Sequence, residues 1–256
     1  MTEPAAHTLT YWQYQYDVSF HYMAPLLQGW GVAIRGAETL DVGCGEGGGL
    51  CALHDLGARC TGFDVDARRV EAALALRGDR AIEFHHGDMY APTLPTGSRR
   101  YGLVVLHDVF EHLDRKVEML DRLKTLMVPG AHLLITFPPY YSAYGAHQQH
   151  LRTRLARLPF VHLLPGFLKG VLPRLKNEPP YVVEEIRKLG RLKMGMRTFE
   201  LLAARSGLRI ERKQAYLISP NHIRFGLKPL PAGRVARLPL IRELLCSGVV
   251  YLLTRE

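Results

Sequence analysis

Residues 39–50 read Thr-Leu-Asp-Val-Gly-Cys-Gly-Glu-Gly-Gly-Gly-Leu, a carboxylate followed by a run of glycines between an apolar stretch and a helical pattern. Glycines in that setting let the backbone approach a ligand at a helix N-terminus. The series Gly43-x-Gly45-x-x-Gly48 satisfies the fingerprint of a dinucleotide loop, and Asp64 follows about 20 residues on, where a ribose-binding acid belongs. Asp41 argues for a different ligand. A carboxylate two residues before the first glycine repels a pyrophosphate, whereas S-adenosylmethionine has no phosphate and offers an ammonium and a sulfonium.

Further groups fall where that cofactor needs them. Gly43, Cys44 and Gly45 bring backbone to it, with Cys44 a small loop filler. Asp64 can accept from both ribose hydroxyls and Val65 can cover the ring. In Gly87-Asp88-Met89, Asp88 can accept from the adenine amino group while Met89 packs on the base. His107, closing an apolar run, approaches the cofactor through its backbone or its side chain. The competing reading makes each acid a helix cap or turn residue. Through DVGCGEGGG, GFDVD, HHGDM, YGLVVLHDVFEHL and LMVPGAHLLITF, in that order, the chain resembles the class I S-adenosylmethionine-dependent methyltransferases. The resemblance implies a Rossmann-like α/β fold with a seven-stranded sheet, mostly parallel with an antiparallel last strand.

Methyl transfer is an in-line displacement, so the acceptor must be held about 3 Å from the methyl carbon, and an oxygen acceptor usually needs a base. Candidates cluster in PPYYSAYGAHQQH: Tyr140, Tyr141, Tyr144, His147 and His150. His147 is the expected general base, because Gly145 and the prolines let that loop fold back over the site; the alternative is that these side chains only line the pocket or hold a lid. Asp108-x-x-Glu111-His112 could hold a metal with His147 or His150 as a fourth ligand. A structural Glu-His pair is the alternative, and no metal is assigned. The aromatic segment Tyr11 to Tyr16 could cap the cleft, with Tyr14 or Tyr16 at the methionine end; the assignment falls on Tyr16.

The elements that must position these groups form an alternating βαβ series. Strands are expected at Glu38 to Val42, Cys60 to Asp64, Ala81 to His85, Gly102 to Leu106 and Ala131 to Phe137. Asp66, Asp114 and Thr198 are the expected helix caps, and Pro129-Gly130 the end of one helix. Leu208 to Ile218 and Gly248 to Leu253 complete an antiparallel pair. The alternation stops for about 60 residues after the fifth strand, too long for a loop. One domain over 1–256 is therefore expected: a helical cap (1–36), a cofactor core (37–138), a basic and apolar lid insertion (139–197) and the end of the sheet (198–256).

The 256 residues carry a formal charge of +9 that is unevenly spread. Residues 1–138 hold 12 Lys+Arg against 17 Asp+Glu, and residues 139–256 hold 21 against 7, with no acid between Asp121 and Glu178. A basic second half implies an anionic partner. Residues 151–176, LRTRLARLPFVHLLPGFLKGVLPRLK, suit a lid over an anionic or lipid-like small molecule, or an interfacial segment giving peripheral membrane contact. Methylation of such a small acceptor, at oxygen before nitrogen or carbon, is the leading reading. An RNA methyltransferase is a rival, opposed by Phe137-Pro-Pro-Tyr140, which has Phe where base amino-methylating members have Asn or Asp; a non-catalytic membrane or interaction protein is another, opposed by the intact Asp41, Asp64 and Asp88. No leader or spanning segment is visible and the four cysteines lack metal or disulfide spacing, so a cytoplasmic, reduced protein is expected.

Overall fold

The computed structural model describes residues 6–92, 94, 97–164 and 178–255. Its centre is one sheet in the order β3-β2-β1-β4-β5-β8-β6-β7. The strands are β1 (Glu38–Val42), β2 (Arg59–Asp64), β3 (Glu83–His86), β4 (Tyr101–His107), β5 (Met127–Phe137), β6 (Leu208–Ile218), β7 (Leu230–Pro231) and β8 (Gly248–Arg255). Pairs among β1 to β5 are parallel, while β8 runs antiparallel to both β5 and β6. The sheet thus has eight strands, not seven. The extra one is the two-residue β7, which pairs antiparallel with β6 at the edge and carries too little sequence to show a period.

The apolar runs of β4, β5 and β8 arise because both faces of the sheet are covered. Val104, Leu106, Leu133, Ile135, Tyr251 and Leu253 join one core, with α5 (Lys116–Leu126) and α7 (Met196–Arg205) packed over it. Leu103, Val105, Leu134, Val250 and Leu252 face the other core, shared with α1 (Ala6–Val18), α2 (Ala24–Gly29), α3 (Gly48–Asp55) and α4 (Ala67–Leu76). Between α1 and α2 the chain winds as one π-helical turn, Ser19–Met23. The remaining helices are α6 (Pro180–Leu192) and α8 (Pro239–Leu245).

Three terminus signals resolve differently from expectation. Asp66 does cap α4, accepting from the Arg68 amide. Asp114 does not cap α5; its carboxylate lies 3.6 Å from the Lys188 ammonium instead. Thr198 sits inside α7, whose first amides, Met196 and Arg197, donate to the Glu243 carboxylate at 3.0 and 2.8 Å, so the cap comes from a distant helix. Pro129-Gly130 falls within β5, where the pairing slips between Tyr101 and Leu103 of β4. A bulge absorbs the two residues that were expected to end a helix.

Among the described residues no helix is long and apolar enough to cross a membrane. Residues 165–176 of the basic, apolar segment lie outside the described residues. Its first part, through Leu164, is a chain of short 3₁₀ turns. Glu178 ties that part to the foot of α6, its carboxylate accepting from the Arg152 and Thr153 amides at 2.7 Å. Burial alone would raise the Glu178 carboxyl, but these bonds and the Thr153 hydroxyl hold it below its ordinary value.

Candidate functional site

Order reverses between β1 and β4, so the C-terminal ends of these strands open a crevice of the kind where open α/β sheets bind ligands. The glycine loop crosses it. Gly43 has φ +80°, and a Cβ there would lie 2.4 Å from the Val109 side chain. Gly48 opens α3, and a Cβ there would lie 2.0 Å from the Trp12 carbonyl oxygen, which shows how closely α1 crosses the loop.

Five of the loop's amides are already committed. Gly43 and Cys44 donate to the Phe63 carbonyl at 2.6 and 3.1 Å, and Gly47 donates to Cys44 at 3.0 Å. Gly45 donates to Asp64 Oδ2 at 2.8 Å, and Gly48 to Gln15 Oε1 at 3.2 Å. A pyrophosphate would need such amides free and convergent. Here they are spent inside the protein, and the loop is flanked by carboxylates. Asp41 is buried with Oδ1 lacking a hydrogen-bond partner among the described residues. Burial, opposed by His107 and assisted by Asp64, pushes its carboxyl up to about 7. Glu46 is also raised, chiefly by burial. A cation is the ligand this environment favours.

The other expected cofactor residues spread along the same edge. Asp64 is buried at the end of β2, each oxygen accepting one backbone amide, from Gly45 and from Asp66. Val65 beside it is exposed, an apolar side chain at the mouth of the crevice. Asp88 is exposed, one oxygen taken by the Tyr90 amide, while Met89 is buried in the core beneath. Cys44 is buried and its thiol is raised by burial, so it is an inert filler; all four cysteines are unpaired. His107 Nε2 lies 3.1 Å from Asn221 Oδ1, and the Asn221 amide donates to Asp108.

Tyr16 is a correction. Its hydroxyl donates to Asp55 Oδ2 at 2.9 Å, turning it toward the far end of α3 and away from the loop. Its neighbours face the crevice instead. Gln15 Nε2 donates to the Cys44 carbonyl at 3.3 Å, and Tyr14 lies under Arg224, 5.3 Å from guanidinium carbon to ring centroid. Burial and then Asp108 raise the Tyr14 phenol.

Beyond β4 and β5 a second cluster forms. A 3₁₀ turn, Phe110–His112, is anchored by Phe110 against Phe199 and presents Glu111 and His112. Glu111 is 2% exposed, and neither carboxylate oxygen has a hydrogen-bond partner among the described residues. His112 Nε2 and His147 Nε2 stand 3.5 and 3.9 Å from Glu111 Oε1. His112 Nδ1 bonds Glu185 of α6; burial would lower this imidazole, but the Glu111 and Glu185 carboxylates outweigh it and raise its pKa. His147 starts a 3₁₀ turn from the left-handed region, φ +58°. His150 stacks on it and is pushed down to about 4 by burial, with His147 and Arg224 beside it. Asp108 does not join the cluster: it has φ +53° and is bonded to Thr136 and Asn221.

Sequence reasoning passed over Gln15, Glu185 and Asn221. Gln15 stood inside a segment read for its aromatics. Glu185 lies on α6, whose Val182, Val183, Ile186 and Leu189 form a helical apolar stripe that was available to find it. Asn221 carries no local signal.

Comparison with known proteins agrees with this architecture. Residues 40–135 match the family model described as a methyltransferase domain. An uncharacterized methyltransferase from Mycobacteroides abscessus is 25% identical over 229 residues, 87% of this chain and 78% of that protein. A ubiquinone biosynthesis O-methyltransferase from Coxiella burnetii is 24% identical over 105 residues, 41% of this chain and 45% of that protein. The magnesium protoporphyrin IX methyltransferase of Synechocystis, solved with bound S-adenosylhomocysteine, has a TM-score of 0.54 at 14% identity, covering 100% of this chain and 89% of that one. The sheet order, the phosphate-excluding glycine loop and these matches define a Rossmann-like, class I methyltransferase. The chain is an enzyme of that class, with S-adenosylmethionine as its cofactor.

Proposed function

We propose that the chain transfers the methyl group to an oxygen of a small anionic or amphiphilic acceptor. The observation that carries this reading is the cluster of Glu111, His112 and His147 beyond the ends of β4 and β5. An amine attacks a sulfonium without a base once it is neutral, whereas a hydroxyl must shed a proton near pH 7. His147 is the proton acceptor in this reading. The Coxiella relative, named as an O-methyltransferase, supports the choice of oxygen. Acceptor charge and polarity are supported by the segment after β5, which exposes Tyr141, Tyr144, Leu158 and Phe160 together with Arg152, Arg154 and Arg157. Such a surface suits a molecule with an acidic group on an apolar body, and a lipid-like acceptor would bring peripheral membrane contact with it.

In this reading Asp41 faces the cofactor's ammonium, Asp64 the ribose hydroxyls, Val65 the ring that carries them, Asp88 the adenine amino group, and Met89 the base. Gly43, Cys44, Gly45 and His107 supply the floor. The test is incubation with methyl-labelled S-adenosylmethionine and fractionated cellular small molecules and lipids, followed by identification of the product. An O-methyl ester or ether of an acidic compound is expected. Label appearing on nitrogen, or only in RNA, overturns the acceptor assignment.

A further inference from the structure

We infer that Glu111, His112 and His147 form a binding site for one divalent transition cation, with Glu185 orienting His112 from behind. Glu111 is the central observation. A carboxylate that is 2% exposed, with no donor within hydrogen-bond reach of either oxygen, has only the longer-range company of His112, His147 and Lys116 in return for its lost hydration. Such a group is costly unless a cation lies beside it.

The geometry is that of donors around an ion. One nitrogen or oxygen from each of the three residues lies within 4.8 Å of the others. Glu111 Oε1 is 3.5 Å from His112 Nε2 and 3.9 Å from His147 Nε2, too long for ordinary hydrogen bonds. Donors bound to one ion at roughly 2.1 Å stand about 3 to 4 Å apart, which is the spacing found. His147 Nε2 likewise has no hydrogen-bond partner among the described residues. His112 is set as metal-bound histidines are set. Its Nδ1 bonds the Glu185 carboxylate, which fixes the ring and turns the Nε2 lone pair toward Glu111. Two imidazoles and one carboxylate select zinc, manganese or a similar ion over calcium or magnesium, and three protein donors leave a coordination position open.

The ligand set is not the one suggested by residue spacing, since Asp108 is held by Thr136 and Asn221 and Glu185 takes the outer position. The catalytic consequence rests on the oxygen-acceptor reading above; binding of the ion does not. With the ion bound, His147 Nε2 is a ligand and cannot also take the proton, so the ion replaces it in that role: an acceptor hydroxyl on the open side would lose its proton to water more readily. Its oxygen then bonds the methyl carbon as the carbon–sulfur bond breaks, and that electron pair stays on sulfur.

The test uses the full chain, dialysed against EDTA and then titrated calorimetrically with zinc or manganese chloride, with magnesium and calcium chloride as controls. One saturable transition-ion site per chain is expected, accompanied by a rise in melting temperature. Glu111→Gln should weaken zinc binding by roughly 100-fold or more, and Glu185→Gln by about 10- to 100-fold. His150→Ala, which removes a neighbour outside the ligand set, should leave it unchanged. S-adenosylhomocysteine binding by Glu111→Gln, within about threefold of wild type, shows that the variant is folded. Absence of saturable binding by the wild type, or zinc binding by Glu111→Gln as tight as wild type, overturns the site, leaving a buried Glu–imidazolium pair. Full methyl transfer in EDTA would overturn its catalytic use while leaving the O-methylation reading intact. Methylation found only on nitrogen would overturn that reading without touching the zinc titration.

Discussion

Asp41 shows how one buried carboxylate links folding, pH and ligand choice. Burial, with Asp64 adding to it against His107, places the folded carboxyl at about 7, far above an exposed aspartate. The folded chain therefore keeps this proton between the ordinary carboxylate range and about 7, where the unfolded chain has lost it. Stability contributed by the group is fully present at low pH, falls through that window as pH rises, and is level above it. A cofactor ammonium beside Asp41 favours the ionised form, so binding at pH 6 should release up to about one proton and binding at pH 8 almost none. Calorimetry of S-adenosylhomocysteine binding in two buffers of different ionisation heat reads this directly. Asp41→Asn should abolish the release and weaken binding at pH 8; an equal heat in both buffers at pH 6 would remove Asp41 from the ammonium. Asp41 and Asp64 were legible because their distance from the glycines is fixed by strand and turn lengths. Gln15 was not, since a glutamine on a helix has no spacing that marks it until α1 is seen to cross the loop.

At the level of elements, α1 is the part of the proposed cofactor site that the βαβ pattern does not contain. It closes on the loop through Gln15 and through the Trp12 carbonyl above Gly48. Gly48→Ala would place a methyl 2.0 Å from that backbone oxygen, so α1 must move. Cofactor affinity is expected to fall by roughly 10-fold or more, with faster proteolytic cleavage between α1 and α2 and a sheet that still unfolds cooperatively. Unchanged affinity would mean that α1 lies over the loop without contributing to the site. The alternation of β1 to β5 with helices was readable because buried parallel strands give unbroken apolar runs. Caps were less so: α7 takes its cap from Glu243, 46 residues beyond Arg197, and no local motif encodes a partner brought in by tertiary packing. The short β7 and helix α6 were missed for opposite reasons, one too brief for a period and the other inside a stretch read as a lid.

Charge is divided unevenly between the two halves of the whole molecule. Residues 1–138, which contain the glycine loop and its acids, carry 17 Asp+Glu against 12 Lys+Arg, while residues 139–256 carry 7 against 21. The acidic half suits a cationic cofactor and the basic half an anionic acceptor, and the two fields respond to salt in different places. Asp41 is buried, where salt screens little, whereas Arg152, Arg154 and Arg157 are exposed and are screened over about 8 Å at physiological ionic strength. Raising sodium chloride from low to roughly half molar should therefore increase KM for an acidic acceptor several-fold, with kcat and the cofactor Kd changing little. Replacing Arg152, Arg154 and Arg157 together by Gln should reproduce the high-salt KM at low salt and flatten the remaining salt dependence. An acceptor whose KM ignores both salt and these arginines would have to be bound by its apolar body alone. The charge of the second half would then serve an anionic surface on which the acceptor is presented. Vesicles containing phosphatidylglycerol would lower the KM of a lipid-like acceptor in that case, and vesicles of phosphatidylcholine alone would not.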